Sequence, residues 1–256
     1  MKILVLPDVQ AKPSDNFEFL GWIGKYIVDK KPDILVCMGD FADMESLCSY
    51  DVGTKGFEGR RYTNDIGCAQ EAMMQLMLPI DIYNARQSAA KHALYRPRKE
   101  LLLGNHENRI IKAINRDPKL EGLISSDDLA YEAFGWTVRP FLHVEIIEGI
   151  AFSHYFTSGV MGRPITTAQA LLNKKHMSCI AGHQQGKQIA IARKADGKQI
   201  TGIIAGSCYM HDEPYLDAQS NQHWRGLIML HEVNDGSFDE MFVSLNYLKR
   251  KYGQDN

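Results

Sequence analysis

The chain has 256 residues, of which 45% are hydrophobic, so it can bury a substantial core and is not of a disordered or low-complexity class. Its 29 lysine and arginine residues nearly balance its 31 aspartate and glutamate residues, which excludes a global positive field that would hold it nonspecifically on nucleic acid. No apolar run approaches the roughly 18 residues of a membrane span, and the first apolar run is too short for a signal peptide. Five scattered cysteines favour reduced thiols. We therefore expect a cytoplasmic protein with no membrane partner.

The first half of the chain alternates strand and helix patterns. Apolar residues recur at helical spacing in some segments and form short uninterrupted runs in others. The predicted elements are strand Lys2–Leu6, helix Asp15–Asp29, strand Ile34–Cys37, helix Thr63–Arg86, strand Glu100–Leu103 and helix Asn108–Ile114. This βαβαβα order is typical of a parallel sheet covered by helices.

The second half consists mainly of short runs rich in β-branched and aromatic residues. The predicted strands are Trp136–Phe141, His143–Ile147, Ile150–His154, Lys187–Lys194, Gln199–Ser207, Leu227–Val233 and Phe238–Leu245. Few helices separate them, which predicts hairpins and a second, mainly antiparallel or mixed sheet. The two sheets, packed face to face with helices outside, predict an α/β fold that is a four-layer α/β/β/α sandwich. We expect one domain over residues 1–256, because candidate ligands come from both halves.

Three segments lie outside this pattern of elements. Met44–Tyr62 is long and glycine-rich, and it carries Arg60 and Arg61; Tyr209–Arg225 carries His223, Trp224 and Arg225. Long loops in a compact domain are commonly functional, so both are predicted to face the substrate. The alternative is a solvated connection anchored by a few aromatic residues. Tyr247–Asn256 is predicted to be a frayed polar tail, with a dimer contact as the alternative.

Several polar residues stand in short motifs directly after apolar runs, where strands are predicted to end. They are Asp8, Asp40, Asn105, His106, His154 and His183. A strand that ends in such a residue delivers it to the carboxyl edge of a sheet, where open α/β sheets bind their ligands. Carboxylate, amide and imidazole ligands together suit Mn²⁺, Fe or Zn²⁺ better than Ca²⁺, and no CxxC motif predicts a thiolate zinc site.

These motifs resemble the pattern of the calcineurin-like metallophosphoesterases, which reads D-x-H, G-D-x-x-D, G-N-H-[DE], a lone H and G-H-x-H. Here the pattern stands as Asp8-Val9-Gln10, Gly39–Asp43, Gly104–Glu107, His154 and Gly182–Gln185. The resemblance spans nearly the whole chain in the right order, and the GNHE element is highly specific. The four-layer sandwich of that family agrees with the predicted strands.

The resemblance implies a site for two divalent metal ions. Asp40 would bridge the ions, Asp8 would hold the first, and Asn105, His154 and His183 would hold the second. His106, which is not a ligand in the family, would act as general acid for the leaving oxygen or stabilise the transition state. Asp43 would orient a ligand or His106. The two ions would activate a bridging hydroxide for in-line attack on phosphorus.

Two residues depart from the family pattern, and both departures affect the first ion. Gln10 stands where D-x-H has its histidine, and Gln185 stands where G-H-x-H has its last histidine. Either the amide oxygens of Gln10 and Gln185 bind the first ion, or that ion has lost two ligands. Both alternatives predict a first site weaker than the second. Oxygen ligands favour Mn²⁺, with Fe, Zn²⁺, Ni²⁺ and Mg²⁺ as alternatives.

The charges near the motifs favour a phosphodiester substrate. Serine/threonine phosphatases of this superfamily carry arginines at positions that here hold Met44 and Leu103. The missing pair argues for a substrate with one fewer negative charge, such as a nucleotide diester or single-stranded nucleic acid. The residues predicted to contact it are Arg60, Arg61, Arg109, His223, Trp224 and Arg225.

Two other functions stay open. One is phosphomonoesterase activity on proteins or small molecules. The other is a non-catalytic metal-binding module, in which Gln10 and Gln185 mark decay of the first site; retention of Asp40 and His106 argues against it. The chain is also similar to compact phosphoesterases encoded by bacteriophages, which would place it in the cytoplasm of the host. The sequence leaves the oligomeric state open.

Overall fold

The computed structural model describes residues 1–213 and 220–253. The strands in these residues are β1 (Ile3–Leu6), β2 (Ile34–Cys37), β3 (Arg98–Leu102), β4 (Thr137–Arg139), β5 (Glu145–Ile147), β6 (Ile150–Ser153), β7 (Thr157–Ser158), β8 (Arg163–Pro164), β9 (Cys179–Ala181), β10 (Lys187–Arg193), β11 (Gln199–Ala205), β12 (Gly226–Asn234) and β13 (Ser237–Ser244). The α-helices are α1 (Glu18–Lys30), α2 (Tyr62–Ala89), α3 (Arg109–Arg116), α4 (Ala168–Lys175) and α5 (Leu245–Tyr252).

The first sheet has the strand order β13-β12-β1-β2-β3-β4. Strands β1 to β4 run parallel, whereas β12 and β13 add an antiparallel edge beside β1. Side chains alternate between the faces of a strand. In β1, Leu4 and Leu6 accordingly pack into the core formed with α1, α2 and α5, while Ile3 and Val5 pack into the core between the sheets.

The second sheet has the order β10-β11-β9-β6-β5, with β11, β9 and β6 parallel. Phe152, Ile180 and Ile203 from its three central strands share one buried core with the first sheet. On the opposite face, Leu171 of α4 packs against Cys179. The layers are therefore helices, sheet, sheet and helix, which confirms the predicted sandwich of two mixed sheets.

The assignment of strands to sheets differs from the sequence prediction. Strand β4 and the β12–β13 hairpin belong to the first sheet, although they come from the half of the chain predicted to form the second. A hairpin can extend either sheet, and its own sequence does not show which edge it joins. The β7–β8 pair forms a small separate ribbon.

Two short helices were not predicted. Helix α4 follows Thr167, whose side chain caps its first turn, and α5 follows Ser244, which does the same. Helix α5 occupies most of the segment predicted as a frayed tail, so that prediction is wrong for residues 247–252; residues 254–256 lie outside the described part. Its polar sequence concealed the anchoring role of Leu245 and Leu248, both of which are buried.

The cysteines relate to the prediction of reduced thiols, and the helices to the prediction that no segment spans a membrane. All five cysteines are buried and unpaired, and all lie within the described residues. Among the helices of residues 1–213 and 220–253, we find none with the length and apolar character needed to cross a membrane.

Candidate metal centre

Four of the predicted ligands meet where strands of the two sheets end. We call Asp40, Asn105, His154 and His183 the histidine-side site. One ligand atom from each of Asp40, His154 and His183 lies within 4.8 Å of the others. The Nε2 atom of His154 is 2.9 Å from Oδ1 of Asn105 and 3.3 Å from Oδ2 of Asp40. These atoms therefore converge as the ligands of one cation would.

A hydrogen bond orients the ring of His154 in this site, and burial and nearby charges set the pKa values of both histidines. The Nδ1 atom of His154 lies 2.8 Å from the carbonyl oxygen of Met38, so Nδ1–H donates there and Nε2 points toward the oxygens of the site. Burial opposes charge on His154, but the carboxylates of Asp40 and Asp8 raise its pKa to about 9. Positive charge is therefore stabilised where the oxygens converge. Burial and the nearby His154 lower the pKa of His183 to about 4, so His183 is neutral and can bind a metal.

The three remaining predicted ligands, Asp8, Gln10 and Gln185, form what we call the glutamine-side site. Oδ1 of Asp8 accepts a hydrogen bond from the backbone N–H of His183 at 3.1 Å. Oδ2 of Asp8 and Oε1 of Gln10 are buried and have no hydrogen-bond partner among the described residues. Burial raises the pKa of Asp8 to about 7. Unpaired buried oxygens are costly, and carboxylate and amide oxygens suit Mn²⁺ or Mg²⁺. The residues therefore fit a hard divalent ion.

Gln185 is placed differently from Gln10. Its Oε1 atom accepts a hydrogen bond from the hydroxyl of Tyr209 at 2.9 Å. The same hydroxyl lies 3.0 Å from Nε2 of His223. Gln185 is thus tied to the segment predicted as a substrate loop, and its amide oxygen is already partly satisfied.

The backbone of both sites is unusual. Gln10, Asp40, His183 and Gln185 have φ angles of 48°, 47°, 67° and 56°, in the left-handed region. That conformation favours glycine, and a residue with a side chain is strained there by roughly 1–3 kcal/mol. At position 104 glycine is required for space, because a Cβ atom there would collide with the side chain of Asp40.

Glu107 holds the loops of the site together, a role that the sequence analysis missed. Its carboxylate is fully buried and accepts hydrogen bonds from four backbone N–H groups. The donors are Asp40 at 3.0 Å, Phe41 at 2.7 Å, Ala42 at 3.0 Å and Gly104 at 2.8 Å. The first three belong to the loop after β2 and the fourth to the loop after β3. The signal in the sequence was the acidic residue that ends GNHE.

His106 lies beside the histidine-side site, in contact with Asp43 and Arg109. Its Nδ1 atom is 2.8 Å from Oδ1 of Asp43, and its Nε2 atom is 3.7 Å from Oδ2 of Asp40. Burial opposes charge on His106, but Asp40 and Asp43 raise its pKa above 6.5. Arg109 donates to the carbonyl of Asp43 at 2.7 Å, and its Nη2 atom lies 3.1 Å from Nε2 of His106. The contacts fix the ring; Asp40 and Asp43 favour its protonated form, and the charge of Arg109 opposes it.

Two pockets open on either side of Arg109. The first, which we call the basic pocket, has a volume of about 540 Å³, and Asn105, Arg109, Lys112, Arg116 and His183 contribute to its lining. The second, which we call the acidic pocket, has a volume of about 770 Å³. Carboxylates predominate among the charged groups that line it: Asp43, Glu45, Asp51, Asp212 and Glu213, with Lys12, Arg60 and Arg109.

Arg60 and Arg61 lie in the segment 44–62, which contributes to both pockets. Arg60 pairs with Asp51 at 2.6 Å and lies 3.5 Å from a carboxylate oxygen of Glu45, so it anchors its own loop. Arg61 donates to the carbonyl of Arg60 at 2.8 Å and is exposed. These contacts leave Arg60 tied to carboxylates of the same segment.

The segment 209–225 is described except for residues 214–219. Arg225 pairs with Asp212 at 2.8 Å and donates to the carbonyl of Met210 at 3.1 Å. The ring of Trp224 packs edge-on against Phe242, with a centroid distance of 5.4 Å. Both residues therefore stabilise the fold locally, and His223 contacts Tyr209 as described above.

Comparison with known proteins adds a family match. Residues 1–176 match the model of a family described as calcineurin-like phosphoesterase. The matched part contains Asp8, Asp40, Asn105 and His154, while His183 lies beyond it. No curated protein matches the chain. One solved crystal structure aligns at 10% identity with a TM-score of 0.40, covering 95% of this chain and 99% of that chain.

Proposed function

Because the chain belongs to the family of calcineurin-like phosphoesterases, we propose that it is a metal-dependent phosphodiesterase that acts on a nucleotide or nucleic-acid diester. The family supports metal-dependent hydrolysis of phosphoesters. The preference for a diester rests on the charges that surround the metal centre.

The observation that carries the proposal is that apolar side chains stand at positions 44 and 103, where the serine/threonine phosphatases of the superfamily carry arginines. Met44 is fully buried in the core between the first sheet and its helices, and Leu103 packs against that core. Arg109 is engaged with Asp43 and His106. A phosphomonoester carries one more negative charge than a diester, and Met44 and Leu103 offer it no further cation, which supports the diester.

Each group at the site has a chemical task in this reaction. Asp40, Asn105, His154 and His183 would hold one divalent ion, and Asp8, Gln10 and Asp40 would hold the other. Ions held there would make a nucleophilic hydroxide available at neutral pH and would neutralise the phosphoryl oxygens. Asp43 accepts the Nδ1–H of His106, which leaves Nε2 as the ring atom that exchanges a proton with the leaving oxygen. Arg109 fixes both residues in this orientation.

Turnover of bis(p-nitrophenyl) phosphate and of p-nitrophenyl phosphate with added Mn²⁺ tests the proposal. We expect a higher kcat/KM for the diester, and a loss of roughly a hundred-fold or more in His106→Ala, as is usual when a general acid is removed. His92→Ala, at an exposed histidine, is the matched control. Faster turnover of the monoester would instead assign a phosphomonoesterase. If neither substrate is hydrolysed in a way that depends on His106, the protein is instead a non-catalytic metal-binding module.

A further inference from the structure

A row of basic residues follows the metal centre along α3. Arg109, Lys112 and Arg116 are spaced three and four residues apart, so they lie on one face of the helix. All three line the basic pocket, together with Asn105 and His183 of the histidine-side site. We call these three residues the basic stripe. It begins at the metal centre and leads away from it.

Two residues of the basic stripe are free to bind a ligand. Lys112 and Arg116 are exposed, and neither side chain forms an ion pair or hydrogen bond with any residue of 1–213 or 220–253. Arg60 and Arg225, in contrast, are paired with carboxylates of their own loops. No aspartate or glutamate is among the described residues that line the basic pocket. An anion bound there would interact with the positive side chains without competition from a carboxylate that lines the pocket.

The dimensions of the stripe fit a nucleic-acid strand. At 1.5 Å per residue, Arg116 lies about 10 Å along the helix axis from Arg109. A stacked strand advances about 3.4 Å per nucleotide, so the stripe can face two or three successive phosphates. Tyr50, which is 92% exposed, and Tyr155 also line the pocket, where they offer rings on which unpaired bases can stack.

We propose that the basic stripe binds backbone phosphates beside the scissile one, so that the substrate is a single-stranded oligonucleotide lying along α3. This inference rests on the proposed phosphodiesterase function and specifies its substrate class. Each phosphate contact adds affinity independent of base sequence. Carboxylates predominate in the acidic pocket, which Arg109 also lines, so the strand is expected to leave the metal centre along the basic stripe.

The double variant Lys112→Ala/Arg116→Ala tests the inference. We compare kcat/KM for an oligothymidylate of about eight nucleotides, within the usual range of single-strand sites, with kcat/KM for bis(p-nitrophenyl) phosphate. The ratio of oligonucleotide to small diester is expected to fall roughly ten-fold in the variant. Fluorescence anisotropy of the labelled strand gives the binding constant over a range of salt concentrations. The slope of its logarithm against the logarithm of the salt concentration is expected to be smaller in magnitude by about 1.4 in the variant, since each of the two lost single-strand contacts contributes about 0.7.

The double variant Lys249→Ala/Arg250→Ala is the matched control, because it removes two exposed charges from α5 and is expected to leave the ratio unchanged. If wild type hydrolyses bis(p-nitrophenyl) phosphate but the ratio falls no further in the stripe variant than in the control, the inference is wrong and the phosphodiesterase function stands. The same holds if wild type hydrolyses the small diester but no oligonucleotide. If wild type hydrolyses neither diester, the proposed function itself fails.

Discussion

The histidine-side and glutamine-side sites lie at the same edge of the sandwich, yet their candidate ligand atoms are satisfied in different ways. On the histidine side, Nε2 of His154 lies within hydrogen-bonding distance of Asn105 and close to Asp40. On the glutamine side, an oxygen of Asp8 and one of Gln10 are buried with no partner among the described residues. The convergent oxygens of the histidine side therefore have a ring nitrogen of His154 beside them, whereas these two oxygens of the glutamine side have no donor among the described residues.

The strongest test of this difference compares His154→Ala with Gln10→Ala. Loss of His154 removes a ligand from the complete site, so we expect kcat/KM for a diester to fall roughly a thousand-fold. Gln10→Ala is expected to retain one tightly bound Mn²⁺ and to lose much less activity. Metal analysis after dialysis, together with initial rates, measures both. An equal loss of bound metal in the two variants would contradict the distinction between the sites.

Glu107 binds the backbone N–H of Asp40, whose carbonyl oxygen accepts the N–H of Gln10 at 2.7 Å, so removal of Glu107 is expected to weaken both sites together. Glu107→Ala leaves four backbone N–H groups of two loops without their acceptor, which should lower the free energy of unfolding by about 3–5 kcal/mol. Glu107→Gln keeps an acceptor oxygen and should cost less. Urea denaturation of metal-free protein gives both values. A loss below about 1 kcal/mol in Glu107→Ala would show that the loops hold without this carboxylate.

Restoring the imidazoles should make the two sites more alike. In wild type we expect calorimetric titration with Mn²⁺ to show one tight and one weak ion. Gln10→His combined with Gln185→His should tighten the weak ion by about ten-fold to a hundred-fold, the range typical of changes around a metal site. Gln10→His alone is the informative intermediate, because Gln185 is also held by Tyr209. Two equally tight ions in wild type would refute the predicted asymmetry.

The smallest expected effect concerns the unpaired oxygen of Gln10. Gln10→Leu removes a buried oxygen that lacks a partner, so metal-free protein should gain about 1 kcal/mol of stability. The stabilisation that added Mn²⁺ produces should shrink, because one of its ligands is gone. Thermal melting with chelator and with Mn²⁺ measures both changes. Gln75→Leu on α2 is the control, and an equal gain there would mean that added hydrophobicity explains the result.

The residues of the histidine-side site and Asp8 could be placed near one another from the sequence because each follows an apolar run. Asp8 and Asp40 follow β1 and β2 closely, and His154 follows β6 directly. The role of Glu107 could not be predicted in the same way, because its four partners are backbone N–H groups of two loops that meet only in the folded sheet. Likewise, the sheet joined by the β12–β13 hairpin depends on long-range pairing with β1.

The basic residues show why candidate substrate contacts are harder to predict. Arg60 and Arg225 stand in long loops, which predicts a substrate contact, but Arg60 pairs with Asp51 and Arg225 with Asp212. These partners are nine and thirteen residues away, so only the closed loops reveal the pairs. Lys112 and Arg116 lie outside the long loops, and their helical spacing from Arg109 is visible in the sequence. Helical periodicity was thus the more useful guide to an unpaired charge.

The left-handed backbone at Gln10, Asp40, His183 and Gln185 has a consequence for laboratory evolution. Glycine adopts that conformation without strain, so a library selected for heat tolerance alone should accumulate glycine first at Gln10, whose amide oxygen has no partner among the described residues. Every variant selected in this way would lack one candidate metal ligand. Selection for stability would therefore remove the site one residue at a time, and only a simultaneous screen for metal-dependent turnover would retain it.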